Sequence, residues 1–84
     1  ILISTDGINW VSQDSGTKRV FYGISSGNNM FVAVGEHGTI LTSSDGINWV
    51  SQDSGTKRIL SDITYRNGSF ISVGGCGTIL KSDI

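Results

Sequence analysis

The chain has 84 residues and a formal net charge of −1, which allow at most one small domain and give no strongly basic surface for nucleic acid. Its one cysteine, Cys76, excludes an internal disulfide, and no Cys/His cluster offers a structural metal site. No apolar run reaches the length of a membrane span. We therefore expect no cofactor, no metal, no nucleic acid and no membrane, and stabilisation by partner chains.

The composition predicts an all-β chain. Twelve glycines, many Ser, Thr, Asn and Asp residues and no proline favour short strands joined by tight turns. The chain begins at Ile1 in the middle of a pattern, without an initiator methionine or a charged leader. We expect a fragment, a processed product or a designed chain, and its compartment stays unknown.

A repeat of 39 residues organises the chain. Residues 6–19 read DGINWVSQDSGTKR, and residues 45–58 read the same. More loosely, ILIS at the start returns as ILTS at residues 40–43 and as ILKS at residues 79–82. The predicted organisation over residues 1–84 is therefore two tandem repeats, 1–39 and 40–78, followed by the start of a third, 79–84.

Each repeat is predicted to form four short strands. In the second copy they are residues 39–43, 47–52, 59–65 and 69–74, separated by turns rich in Gly, Asn and Asp. Asn67-Gly68 between two apolar-rich runs predicts a type I′ hairpin, and Asn28-Asn29 holds the same place in the first copy. No long stretch keeps the 3.6-residue apolar period of a helix.

Four antiparallel strands in about 40 residues are typical of a β-propeller blade. We predict two four-stranded antiparallel blades per chain; a β-trefoil is the alternative. Two blades cannot close a ring, so the ring is expected to be completed by oligomerisation. The expected partner is the chain itself, as a homo-oligomer of three or four copies, and a protein or glycan ligand stays open.

The segment SSDGINW at residues 43–49, with its copy STDGINW at residues 4–10, resembles the Asp-box of the bacterial neuraminidase repeat. The segments LSDI (residues 60–63), AVG (33–35), GTIL (38–41) and DG…W (45–49), taken in blade order, are similar to blades of the photosystem II assembly factor family. Compared with the usual Asp-box, this turn lacks one residue between Asp and Trp. The resemblance implies a structural turn in each copy, formed by Ser4, Asp6, Gly7 and Trp10 and by Ser43, Asp45, Gly46 and Trp49.

The resemblance also implies that the chain is permuted relative to the blade. It would open on a third strand, continue with a fourth, and then run first and second. Nine candidate strands result for the eight places in two blades. We expect one end to be frayed, to pair with another chain, or to continue in a longer protein.

Charged residues near the turns form a candidate rim for a partner or ligand. Two basic pairs precede the innermost strands, and two ionisable residues follow the second blade strand of the first copy. For the basic pairs, a solvated or ion-paired loop is the simpler interpretation, and a rim that attracts an anion or an acidic partner is the more specific one. For His37 and its counterpart Cys76, a variable turn position is the simpler interpretation, and a shared metal site is the more specific one. The rim residues are Lys18, Arg19, Lys57, Arg58, Glu36 and His37.

We expect no enzyme. A sialidase needs an arginine cluster, a tyrosine nucleophile and several acidic groups, whereas this chain has three arginines and one glutamate, and its single histidine excludes most triads. Three functions stay open. They are a self-assembling scaffold or protein-interaction module, a glycan-binding lectin-like propeller, and a designed or minimal fragment without a selected ligand.

Overall fold

The computed structural model describes residues 1–4, 6–12, 16–17 and 19–82. Within these ranges the chain forms β-strands and two short 3-10 turns but no α-helix, so the prediction of an all-β chain is confirmed. No helix there is long and apolar enough to span a bilayer. The strands are β1 (Leu2–Ile3), β2 (Val11–Ser12), β3 (Phe21–Gly27), β4 (Met30–Gly35), β5 (Ile40–Ser43), β6 (Val50–Gln52), β7 (Leu60–Arg66), β8 (Ser69–Gly74) and β9 (Ile79–Ser82), and the 3-10 turns are Glu36–Gly38 and Gly75–Gly77.

The strands form three antiparallel sheets in the described part of the chain. The N-terminal sheet contains β1 and β2, the central sheet has the order β3-β4-β5-β6, and the C-terminal sheet has the order β7-β8-β9. The predicted four-stranded unit is therefore observed once. The C-terminal sheet contains the first three strands of the same unit, and the N-terminal sheet contains copies of its last two.

The predicted hairpins are confirmed in both repeats. Asn28 and Asn29 join β3 to β4, and Asn67 and Gly68 join β7 to β8, each with a positive φ between 51° and 82°. A type I′ turn requires left-handed backbone at both central residues, which Asn and Gly adopt most readily. The paired strands therefore start in the same register in the two copies.

One predicted strand is shorter than its sequence pattern indicates. The second strand of the repeat was expected over residues 47–52, whereas β6 covers only Val50–Gln52. The backbone N–H groups of Ile47 and Asn48 donate to the side chain of Asp45, at 2.8 and 2.9 Å. These groups are therefore not available to a strand ladder, and the turn extends up to Trp49.

Glycines allow the segments just before the edge strands β3 and β7 to approach the neighbouring strand of their sheet closely. The Gly75 N–H donates to the Ile59 carbonyl at 2.8 Å, and the Glu36 N–H donates to the Val20 carbonyl at 3.0 Å. A Cβ on Gly74 would overlap that same Ile59 carbonyl oxygen. The residues before the two donors, Gly74 and Gly35, must therefore lack a side chain.

The core lies between the central and C-terminal sheets. It consists of apolar side chains from one strand of the central sheet, β4, and two strands of the C-terminal sheet, β7 and β8, namely Val32, Val34, Leu60, Ile63 and Phe70. We call the surface of a sheet that points toward the next sheet along the chain its forward face, and the opposite surface its rear face. The core is thus the contact between the forward face of the central sheet and the rear face of the C-terminal sheet.

The two faces fit by size as well as by polarity. The Tyr65 ring lies against the backbone of Gly27, where any side chain on Gly27 would overlap the ring. Tyr65 also packs on Phe70, with ring centroids 4.7 Å apart and ring planes inclined by 58°. On the edge strands β3 and β7, the ideal Cβ position of Gly23 is 3.2 Å from the Asp62 Cα. These two strands of different sheets are therefore direct neighbours.

We predict that Gly74→Ala destabilises the fold by about 1–3 kcal/mol, as overpacking of a rigid site does. The added Cβ meets a backbone carbonyl oxygen that cannot rotate away. Gly75→Ala is the matched control, since the nearest atom to a Cβ there is the same oxygen at 4.0 Å. Urea unfolding followed by fluorescence measures both, and equal midpoints for the two variants would contradict the prediction.

Candidate functional site: aspartate turns and open sheet faces

The carboxylate of Asp45 closes the turn between β5 and β6. Its Oδ1 accepts the backbone N–H groups of Ile47 and Asn48, while its Oδ2 accepts the Asn48 side-chain amide at 2.9 Å. The Ser43 hydroxyl donates to Oδ1 at 2.9 Å and accepts the Gly46 N–H at 2.8 Å. Gly46 takes a φ of 80°, which a Cβ would disfavour. All these bonds stay within six residues.

The first copy repeats this turn between β1 and β2. Asp6 Oδ1 accepts the N–H groups of Ile8 and Asn9 at 2.8 and 2.9 Å, and Ser4 bonds both Asp6 and Gly7. The Asn9 amide donates to Oδ2 at 3.0 Å. The sequence identified Ser, Asp, Gly and Trp of this motif but missed the asparagine. The sequence does contain a signal for this asparagine, because Asn follows Asp by three residues in both copies.

These bonds keep both carboxyl groups ionised. The backbone N–H of Asn48 has the largest effect on Asp45, followed by that of Ile47, and together they hold its carboxyl pKa well below the usual range. Asn9 and Ile8 lower the pKa of Asp6 in the same way. A carboxylate that is already engaged by several donors is a weak proton acceptor. The two aspartates therefore serve the turns.

The two tryptophans of the motif have different surroundings. The Trp49 indole Nε1–H donates to the Gly46 carbonyl at 3.0 Å, and its ring is partly buried. Trp10, in the first copy, is 59% exposed. Trp49 is therefore held against its own turn, whereas the Trp10 ring is mostly in contact with solvent.

The rim residues are only partly brought together. Arg19 and His37 line an open cleft of about 550 Å³ with Trp49, whereas Lys57 and Arg58 are exposed on the equivalent loop of the second repeat and do not line it. Lys18 lies outside the described residues.

Glu36 has a structural role that the sequence did not reveal. Its Oε1 accepts the Val20 N–H at 2.9 Å, and its own N–H donates to the Val20 carbonyl. It thereby fixes the start of β3. A bond across 16 residues leaves no local signal in the sequence.

The shared metal site stays a hypothesis without support from a ligand cluster. His37 and Cys76 occupy equivalent left-handed positions, at φ of 57° and 56°, in the two 3-10 turns. Both side chains are exposed. Among the residues that the structure describes, no three His, Cys, Asp or Glu side chains come together.

The most distinctive surfaces are two sheet faces that are covered inside the chain and more open at its ends, although Ala33 and Leu41 on the rear face of the central sheet are also buried. Val34, on the forward face of the central sheet, is 0% exposed, while its repeat counterpart Val73 on the C-terminal sheet is 43% exposed. Ile63, on the rear face of the C-terminal sheet, is 9% exposed, while its counterpart Ile24 on the central sheet is 57% exposed. Each open face thus copies one half of the internal contact.

The same difference holds for neighbouring residues of these faces. The forward face of the C-terminal sheet also carries the exposed Ile79 and the half-buried Ile71, and the rear face of the central sheet also carries Phe31, which is 37% exposed. Sequence reasoning named none of them as functional. The signal is the 39-residue offset combined with exposure, and exposure requires the folded structure.

Comparisons of this chain with models of known protein families, with curated proteins and with solved structures find no match.

We predict that acid weakens the fold through these two turns. The native pKa values of Asp6 and Asp45 are depressed, so the unfolded chain binds more protons than the native one as the pH falls below about 4. The stabilisation is therefore present at neutral pH and is lost as the pH drops through that range. Urea midpoints measured against pH test this.

The matched control is the Asp6→Asn/Asp45→Asn double variant. It keeps one oxygen acceptor in each turn but has no carboxyl group to titrate, so its urea midpoint should fall less steeply with acid. The same acid slope in both proteins would show that the turns do not carry the effect.

Proposed function

We propose that this chain is a non-enzymatic module that associates head to tail with its own copies to form a closed β-propeller ring, which serves as a scaffold for protein interaction. The observation that carries the proposal is the pair of open faces. The forward face of the C-terminal sheet resembles the forward face of the central sheet. Inside the chain, that face of the central sheet is covered by the rear face of the C-terminal sheet. In the ring, the forward face of the C-terminal sheet packs against the rear face of the next copy's central sheet.

The proposed contact is heterologous, because two different surfaces meet. Such contacts form rings when the rotation between units closes. Propellers have about four to eight blades, so three copies with two blades each, or four copies, are suitable numbers. The direct approach of β3 and β7 favours a propeller over a trefoil, because blades around one axis bring their innermost strands together.

The sizes of facing side chains support the same contact. Inside the chain, Tyr65 on a rear face lies over Gly27 on a forward face. Between copies, the equivalent positions are Ser26 on the rear face and Arg66 on the forward face. A large residue meets a small one in both cases, with the sides reversed. The contact between copies therefore has room for the long Arg66 side chain.

The role as a scaffold is supported by the site chemistry and by the resemblance. The carboxylates of Asp6 and Asp45 are engaged in turn bonds, which disfavours these two residues as general acids or bases. The repeat is similar to blades of the photosystem II assembly factor family, a resemblance that favours protein interaction over glycan binding.

We predict that Val73→Lys raises the dissociation constant of the assembly by about 100-fold or more, because an unpaired ammonium becomes buried at the contact. Val73→Ile is the matched control, since it keeps an apolar β-branched side chain. Native mass spectrometry and sedimentation velocity measure the assembly. Circular dichroism checks that both variants fold, as expected for substitutions at an exposed position.

Two outcomes would contradict the proposal. One is a folded monomer of the unmodified chain at micromolar concentration. The other is an assembly of unchanged strength in Val73→Lys.

A further inference from the structure

We propose that the β1–β2 hairpin of one copy completes the C-terminal sheet of the preceding copy, and that β1 then takes the place that β9 holds in the structure. This inference rests on the proposed self-association and names the strands that are exchanged. It concerns the edge of β8 and the segment that pairs with it.

Five strands are available for the four places of the completed C-terminal sheet: β7, β8 and β9 of one copy, and β1 and β2 of the next. β1 pairs with β2 in the register of β5 with β6, since Leu2 lies opposite Ser12 as Leu41 lies opposite Ser51. β9 pairs with β8 in the register of β5 with β4, since Lys81 lies opposite Ile71 as Thr42 lies opposite Val32. β1 and β9 are thus two copies of the same third strand. A four-stranded sheet built from both copies has room for one of them.

The aspartate turn favours β1. Ser4 and Asp6 hold the connection between β1 and β2 through bonds to Gly7, Ile8 and Asn9. If β9 kept the third place, β2 would have to leave β1 and pair with a strand of another molecule. The β1–β2 hairpin, in contrast, moves as one unit with its turn intact.

Lys81 disfavours β9. It lies directly opposite Ile71, so it belongs to the forward face of the C-terminal sheet. The equivalent residue of the central sheet, Thr42, is only 7% exposed, because the next sheet covers it. In the ring, the same covering would remove the Lys81 ammonium group from water, and this desolvation costs free energy even for a charge that has a partner. The sequence places Ile3, an apolar residue, at the equivalent position of β1.

The environment of Trp10 agrees with a hairpin that is seated in the assembly. Trp49 of the central sheet shares a cleft with Thr17, which belongs to the loop before β3. By the repeat, Trp10 of a seated hairpin would lie beside Thr56 of the preceding copy. Trp10 is then exposed in the single chain because its neighbour belongs to another molecule.

The first experiment compares three chains by sedimentation velocity: the unmodified chain, a chain lacking residues 79–84, and a chain lacking residues 1–12. We expect removal of residues 79–84 to leave the dissociation constant within about threefold or to lower it, because the competing strand is gone. Removal of residues 1–12 should abolish the assembly. If the unmodified chain assembles but loss of residues 79–84 prevents it, the strand exchange is wrong and self-association still holds.

A chain of unmodified sequence that never assembles would instead contradict the proposed function itself. Because a truncated chain can fail for reasons of folding, the second experiment uses the unmodified chain. Hydrogen exchange is measured at concentrations below and above the assembly threshold. The amides of β9 should exchange faster in the ring than in the monomer, since β9 has left β8. Slower exchange of β9 in the ring would overturn the inference.

The Lys81→Thr variant provides a third test. The strength of assembly should change in opposite directions depending on whether β1 or β9 occupies the third place of the sheet. Thr is the residue of the central sheet at this position, so the variant improves β9 as a competitor and should weaken the assembly by about two- to tenfold. If β9 stayed in place, removal of the buried charge would strengthen the assembly. A stronger assembly in Lys81→Thr therefore contradicts the exchange.

Discussion

The contact between the forward face of one sheet and the rear face of the next determines most of this molecule. A four-stranded sheet of this size has two apolar faces and too little chain to cover both. Inside the chain, Val32 and Val34 meet Ile63 and Phe70, and this contact forms the apolar cluster between the two sheets. Because the two repeats carry nearly the same faces, the C-terminal sheet presents a forward face like the one that it covers on the central sheet. This similarity is the basis of the proposed association.

The aspartate turns have a different physical basis. Their bonds are short in sequence and depend on no other sheet, so they form alike at the partly buried Asp45 turn and at the exposed Asp6 turn. The stabilising interactions of the molecule are thus divided. Local hydrogen bonds shape each hairpin, while burial of apolar faces determines where each sheet lies.

Sequence reasoning recovered what is local. The Asn-Gly and Asn-Asn turns, the bonds of Asp45 and the order of strands all follow from residues close together in the chain. It failed where partners are distant. The Glu36 bond to Val20, the packing of Tyr65 on Gly27 and the division into sheets of two, four and three strands depend on the folded structure. The late start of β6 at Val50 is intermediate, since the donors used by Asp45 are local but their competition with strand pairing was overlooked.

The closed bond pattern of the Ser4–Asn9 turn has a consequence for evolution by duplication. A hairpin that carries its own connector needs nothing from its host except an edge and an apolar surface of the right spacing. Such a piece can be copied, shifted or cut at a new point in the gene without redesign of its surroundings. Arrays of differing length can arise from one ancestral unit by this route.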